Sequence, residues 1–149
     1  MRLIKQIVIH CSATKPNMDV GVDEIRKWHM NRGWSDIGYH YVVRRNGEIE
    51  VGRDEDLVGA GVKGFNKNTI HICLVGGVND DLEPEDNYTL RQKNAAKQLA
   101  RGLQKKYHEL TGIFPAVIGH RDFPNVRKAC PCFDVVPWFY DMIPDLDEE

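Results

Sequence analysis

The chain has 149 residues, of which 42% are hydrophobic and 28% charged. That suits one soluble domain with its own core and excludes a disordered chain or a disulfide-dependent miniprotein. Twenty Lys and Arg against 22 Asp and Glu leave a formal charge of -2, which gives no electrostatic reason to expect nucleic acid as a partner. No window approaches the length of a membrane span, and the start Met-Arg-Leu-Ile-Lys-Gln is too short and too charged for a signal peptide. The expectation is therefore synthesis in the cytoplasm, no membrane partner, and a single domain over 1–149 with Asp145 to Glu149 as a solvated acidic tail. Four cysteines in such a chain read as thiols or metal ligands rather than a disulfide framework.

Taken in order, Leu3 to Ile9 is an apolar, β-branched run that predicts a strand covered on both faces, with His10 at its C-terminal end. Val22 to Arg32 predicts a helix: Val22, Ile25 and Trp28 share a face, Asp23 and Glu24 lie in the first turn, and Gly33 stops it. Asn46-Gly47, between two strand-like runs from Gly38 to Val51, is a type I′ hairpin signature. Strict alternation in its first strand puts Tyr39, Tyr41 and Val43 on one face and His40 and Val42 on the other. A glycine-rich loop, Gly59 to Gly64, leads to a strand over Ile70 to Val75, and Asn79 to Asn87 is an acidic loop. Thr89 and Gln92 form a capping box for a long helix with Ala96, Leu99, Leu103 and Tyr107 on its buried stripe. A short strand over Ala116 to Gly119 follows. Asp134 is placed to cap a last helix carrying Trp138, Phe139 and Met142. Strands alternating with helices predict an α/β fold on a mixed central sheet, the hairpin being its antiparallel part.

Six histidines are present. His29, His40, His71 and His108 have ordinary structural readings, in a helix, a hairpin, a buried strand and a helix end. His10 and His120 differ, because each terminates a strand at the edge where open α/β sheets bind their ligands. After His120 comes Lys128-Ala-Cys-Pro-Cys132. If this stretch is extended, Lys128, Cys130 and Cys132 point to one side, and either thiol is a candidate ligand. Cys11 and Cys73 read as small core residues. Two imidazoles and one thiolate suit Zn²⁺ with one position left open, the arrangement of a catalytic site. No His-Glu-x-x-His is present, so the usual metalloprotease base is missing. Tyr39 and Lys128 are the donors suited to stabilising an oxyanion.

These residues fall in stretches that resemble the zinc-dependent N-acetylmuramoyl-L-alanine amidases of the amidase-2 and peptidoglycan-recognition group. The matching stretches are Val8-Ile-His-Cys-Ser-Ala-Thr-Lys-Pro16, Gly21-Val-Asp-Glu-Ile-Arg26, Gly33-Trp34 with Gly38-Tyr-His40, Gly52-Arg-Asp-Glu55, Lys63-Gly64 with Asn66, Cys73-Leu-Val-Gly-Gly77, and Lys128-Ala-Cys-Pro131 with Phe133-Asp134. The resemblance implies a mixed sheet flanked by helices and His10, His120 and Cys130 as zinc ligands. It implies Tyr39 and Lys128 as the residues that stabilise the tetrahedral intermediate, with Lys63 and Asn66 in the substrate groove. The implied reaction is hydrolysis of the amide between N-acetylmuramic acid and L-alanine of the peptidoglycan stem peptide, by a monomeric phage or prophage endolysin that reaches the wall after release.

Members that only recognise peptidoglycan typically lack the cysteine ligand, so Cys130 favours hydrolysis. Gly61 stands where close relatives often carry a histidine, and His71 where they usually carry glycine, which reads as a local packing change. Cys132 replaces a serine, and the loop from His120 to Cys130 is slightly long. A phage RNA polymerase is the other partner that this group implies, through residues ahead of the first ligand. That stretch is shorter here, and the role is not carried over. Three competing readings remain: a cysteine peptidase with a Cys–His pair, which lacks a cysteine at a helix N-terminus, a non-catalytic wall-binding or polymerase-binding module, and an α/β domain whose histidines are incidental.

Overall fold

The structure is a computed structural model that describes residues 2–141; Met142 and the acidic tail lie outside the described residues. Five strands form one sheet in the order β3-β2-β4-β1-β5. They are β1 (Gln6–Cys11), β2 (Tyr41–Val43), β3 (Ile49–Val51), β4 (Thr69–Leu74) and β5 (Ala116–Gly119), with helices α1 (Val22–Asn31), α2 (Leu90–Thr111) and α3 (Val135–Phe139). β1 pairs in parallel with β4 and β5, β2 in parallel with β4, and only β2 and β3 run antiparallel. The expected mixed sheet with the hairpin as its antiparallel part is what forms.

Alternation along β1 and β4 sorts their side chains. Ile7, Ile9, Ile70, Ile72 and Leu74 face α2 and α3 in the main core with Ala96, Ala100, Leu103 and Tyr107. On the other face, Cys73 and Val42 pack with Val22 and Ile25 of α1, and Val8 packs with Val62 and Phe123. The Thr89 capping box forms: its hydroxyl accepts from Gln92 N at 3.0 Å, and Gln92 Oε1 accepts from Thr89 N at 3.0 Å. Gly112, left-handed at φ 79°, ends α2 with its N–H on His108 O.

Several local expectations are corrected. β1 starts at Gln6 rather than Leu3 and runs through His10 to Cys11, so His10 lies inside the strand rather than after it. In α1 the third buried position is His29, not Trp28, which is 37% exposed. The Asn46-Gly47 turn is not type I′, because φ is positive at Gly47 and not at Asn46. Gly47 N–H reaches Arg44 O at 2.8 Å and Arg44 N–H reaches Glu48 O at 2.8 Å. That is a three-residue loop ending in a glycine bulge. Asp134 stands at the N-cap of α3 without capping it; its carboxylate takes the Arg121 guanidinium at 2.6 Å instead.

The correction that matters most is at Tyr39. β2 begins only at Tyr41, and the chain before it leaves the regular ladder: His40 N–H bonds His71 O, while His71 N–H bonds the His40 ring Nδ1 at 2.9 Å rather than a backbone carbonyl. Tyr41 therefore packs on the α2 side and Tyr39 on the α1 side. Strict alternation would have put them together.

Candidate active site

β1 and β5 are parallel neighbours, with Ile9 opposite Gly119. The residues after these partners, His10 and His120, therefore emerge side by side at the C-terminal ends of the two strands. Their rings are 4.7 Å apart between centroids. The stretch from Ala129 to Cys132 brings the thiol to them. It is a turn, not the extended run expected: Cys132 N–H bonds Ala129 O at 2.6 Å, and Cys132 takes a left-handed φ of 74°. The turn separates the two candidate thiols. Cys132 points to Gly77 O at 3.2 Å, whereas Cys130 Sγ accepts the Cys11 backbone N–H at 3.1 Å. One ligand atom each from His10, His120 and Cys130 lie within 4.8 Å of one another, and no other such trio occurs among the described residues.

The electrostatics suit a cation. Burial, then the neighbouring His71 and His120, hold the His10 imidazole well below its ordinary range, and burial and Lys128 lower His120. Both rings are neutral with a lone pair to offer. Hydrogen bonding with the Cys11 thiol, then burial, raises the Cys130 thiol, against the lowering effect of the Cys11 backbone N–H; a bound divalent cation acts in the opposite direction to burial and deprotonates a coordinating thiol. Two neutral imidazoles and a thiol that ionises on binding are a donor set that fits zinc.

A cleft of about 200 Å³ opens on His120 and Cys130, lined also by Lys128 and Tyr39, by Trp28 and His29 of α1, and by Arg32 at the end of that helix; His10 lies buried behind it. Burial, reinforced by the thiols of Cys73, Cys130 and Cys11, raises the Tyr39 phenol well above its ordinary value, so it keeps its proton and remains a donor. Lys128 is exposed and forms no ion pair among the described residues. The structure thus brings together five of the seven residues singled out from sequence. The other two stand apart from the cleft. Lys63 is exposed, and Asn66 Oδ1 accepts Gly61 N and Val62 N, each at 3.0 Å, so it ties the glycine-rich loop.

Sequence reasoning missed two participants. His29 was read as an ordinary helical residue; its Nδ1 does accept Gly38 N–H at 2.8 Å, but its ring also packs on Tyr39 and lines the cleft. His71 was read as packing. Its ring instead meets His10, Nδ1 to Nε2, at 2.8 Å, and burial holds it down to about 3. The available signal was register: His71 lies opposite Val8, so it shares a sheet face with His10 two residues on, a diagonal pair within reach of long side chains.

Comparison with known proteins identifies the family and the fold. Residues 1–133 match the family described as N-acetylmuramoyl-L-alanine amidase. The endolysin of Enterobacteria phage K11 is 47% identical over 135 residues, covering 89% of this chain and 83% of that protein. The endolysin of Escherichia phage T7 is 44% identical over 134 residues, with the same coverage of each. Among solved structures, the N-acetylmuramoyl-L-alanine amidase LysC from Clostridium intestinale superposes with a TM-score of 0.73 at 28% identity, covering 90% of this chain and 80% of its own. PGRP-SA of Apis mellifera, at 22% identity and a TM-score of 0.74 over 95% and 84% of the two chains, shares the fold. The chain belongs to the N-acetylmuramoyl-L-alanine amidase family.

Proposed function

We propose that this protein is a zinc-dependent endolysin that hydrolyses the amide between the lactyl group of N-acetylmuramic acid and L-alanine of the peptidoglycan stem peptide. The amidase activity rests on family membership and on the phage endolysins above. The observation that carries zinc is the gathering of the His10, His120 and Cys130 donors within 4.8 Å beside a cleft that also holds a protonated tyrosine. These three residues would hold the ion, leaving one position for water or the scissile carbonyl. When bound, zinc supplies a Lewis acid and brings the pKa of its water to about 7.

The chain's own residues do the rest. Tyr39 donates a hydrogen bond to the carbonyl oxygen as it gains negative charge, and Lys128 offers its ammonium to the same charge. Both interactions strengthen toward the transition state, which is what accelerates the step. Trp28, His29 and Arg32 give the cleft a wall for the muramyl and peptide groups. Lys63 remains in this proposal as an exposed cation of the groove. For Asn66, whose oxygen is occupied by the loop, only the amide nitrogen is left for substrate. The enzyme acts on the wall as a monomer, through one domain spanning 1–149.

Purified protein incubated with sacculi should release stem peptides, creating new amino termini and no new reducing sugar ends. A chelator should abolish release and zinc should restore it. Reducing ends as the sole product would make it a glycosidase. Release indifferent to chelation but stopped by thiol alkylation would favour the cysteine peptidase.

A further inference from the structure

We propose that His71 is a positioning residue for the zinc site: with Asn66 it fixes the tautomer and orientation of the His10 ring, so that Nδ1 is the atom His10 presents to the metal. The inference rests on the zinc reading above and on the donors and acceptors along one chain of contacts.

The chain starts at the backbone. Gly61 N and Val62 N each reach one side-chain atom of Asn66 at 3.0 Å. Backbone N–H groups can only donate, so this atom is the amide oxygen and the Asn66 flip is settled. The same oxygen lies 2.8 Å from His71 Nε2. An amide oxygen cannot donate, so His71 carries its proton on Nε2. His71 is fully buried and neither of its ring nitrogens meets a carboxylate. It is therefore neutral, and its Nδ1 is a bare lone pair. Nδ1 lies 2.8 Å from His10 Nε2, and two lone pairs cannot share that distance. His10 Nε2 must carry the proton and donate. Neutral His10 then has one lone pair left, on Nδ1.

Metal-binding histidines commonly anchor their second nitrogen on a carboxylate, a carbonyl or water, and losing that partner typically weakens metal binding 10- to 100-fold. Here the anchor is another imidazole, itself anchored on an asparagine. Gly61 is the matching half of the device. A Cβ on Gly61 would stand 2.5 Å from His71 Nδ1 and 2.8 Å from His10 Nε2, so a larger residue would wedge the two rings apart. The two departures from the family pattern, Gly61 and His71, are therefore one coupled feature.

The tautomers are read directly by two-bond ¹H–¹⁵N correlation spectra of the histidine rings, on both metal-free and zinc-loaded wild-type protein. The expected result is Nε2–H for both His10 and His71 in each form, with zinc shifting His10 Nδ1. A proton on His10 Nδ1, or zinc on its Nε2, overturns the proposal. Zinc affinity by chelator competition is the second measurement. His71→Leu should bind about 10- to 100-fold more weakly, and His71→Asn should recover most of the loss because its side-chain oxygen can take the place of Nδ1 as acceptor. Wild-type affinity in a folded His71→Leu, or equal loss in both variants, overturns it. If His71→Leu does not fold, the wild-type spectra still decide. Wild-type protein that binds no zinc would sink the functional proposal instead, while the metal-free spectrum would still test the tautomers.

Discussion

His10 and Cys130 approach one point from regions of opposite construction. His10 is 1% exposed, lies in a strand paired on both edges, and has its ring tied through His71 to Asn66. Cys130 sits on a turn beyond a mostly exposed loop. It is held by Cys11 N–H on its sulfur and by Arg121 N–H on its carbonyl, the latter at 3.0 Å. The strand side fixes position, because its groups have no water to fall back on and an unsatisfied buried donor there costs about 1–3 kcal/mol. The loop side delivers the thiol and, from Lys128, a charge that needs solvent access. A rigid scaffold that aims reactive groups carried on a loop is the usual division of labour in a catalytic site.

The largest effects should come from deleting one ligand on each side. Compared metal-free, Cys130→Ser should keep the thermal midpoint near wild type, and on loading its zinc content should stay at background. Activity should drop about 10³-fold or more, since the metal supplies several kcal/mol of charge stabilisation. His10→Ala should lose zinc and activity as well, but it also leaves His71 Nδ1 without its donor in a closed site, so its thermal midpoint should fall clearly. Equal midpoints for the two variants would mean that the strand side is no more committed than the loop.

Next in size is Tyr39→Phe, which removes one hydroxyl from the cleft and nothing from the metal. It should lower kcat by about 10²- to 10³-fold, the usual cost of one oxyanion donor, with zinc content and thermal midpoint unchanged. Loss of zinc in this variant would place Tyr39 in the scaffold rather than in the chemistry.

Much of this division was legible in the sequence. The apolar run before His10 and the short one before His120 gave two strands, and their shared edge followed from how α/β sheets are built. The capping box at Thr89 and Gln92 and the buried stripe of α2 are local signals, and they formed as read. What the sequence hid was non-local. Alternation failed for Tyr39 because the His40 ring replaces a carbonyl in the ladder at His71. The choice between Cys130 and Cys132 needed the turn at Ala129–Cys132, which contradicts the extended run that the proline suggested. The pairing of His10 with His71 depends on parallel register between β1 and β4, which no stretch of sequence reveals alone. The link from Glu55 to Tyr41, Lys106 and Tyr107, joining the segment after the hairpin to α2, was equally out of reach.

Acid should find the buried side first. Burial lowers His40 to about 4, and burial with Arg32 and Arg53 lowers His29 to about 4. In each ring Nδ1 accepts a backbone N–H, from His71 and Gly38 respectively, so neither can be protonated without losing that bond. Unfolded histidine titrates near 6.5. Between that value and about 4 the unfolded chain binds protons that the folded chain refuses, so stability is full above pH 6.5 and is lost as pH falls. These two groups contribute a loss of about 2 kcal/mol between pH 6 and pH 5, and His71 and His10, lowered by burial as well, add to it in the same direction. Urea midpoints of the metal-free protein should show this slope, and Cys130→Ser should share it. A slope that vanished in Cys130→Ser would assign the acid sensitivity to the loop.

The smallest effect should come from the ion pair that spans the loop side, Arg121 with Asp134, where the Asp134 side chain is 72% exposed. Such pairs are worth about 0–1 kcal/mol because water and salt screen them, and Asp134 contributes no cap hydrogen bond to α3 that would add to this. Asp134→Ala should therefore cost less than about 1 kcal/mol and leave zinc affinity unchanged, since the backbone bond from Arg121 to Cys130 survives the substitution. Weakened zinc binding in this variant would mean that a screened surface charge, rather than the backbone, holds the thiol in place, and the loop would then be expected to release its metal as salt rises.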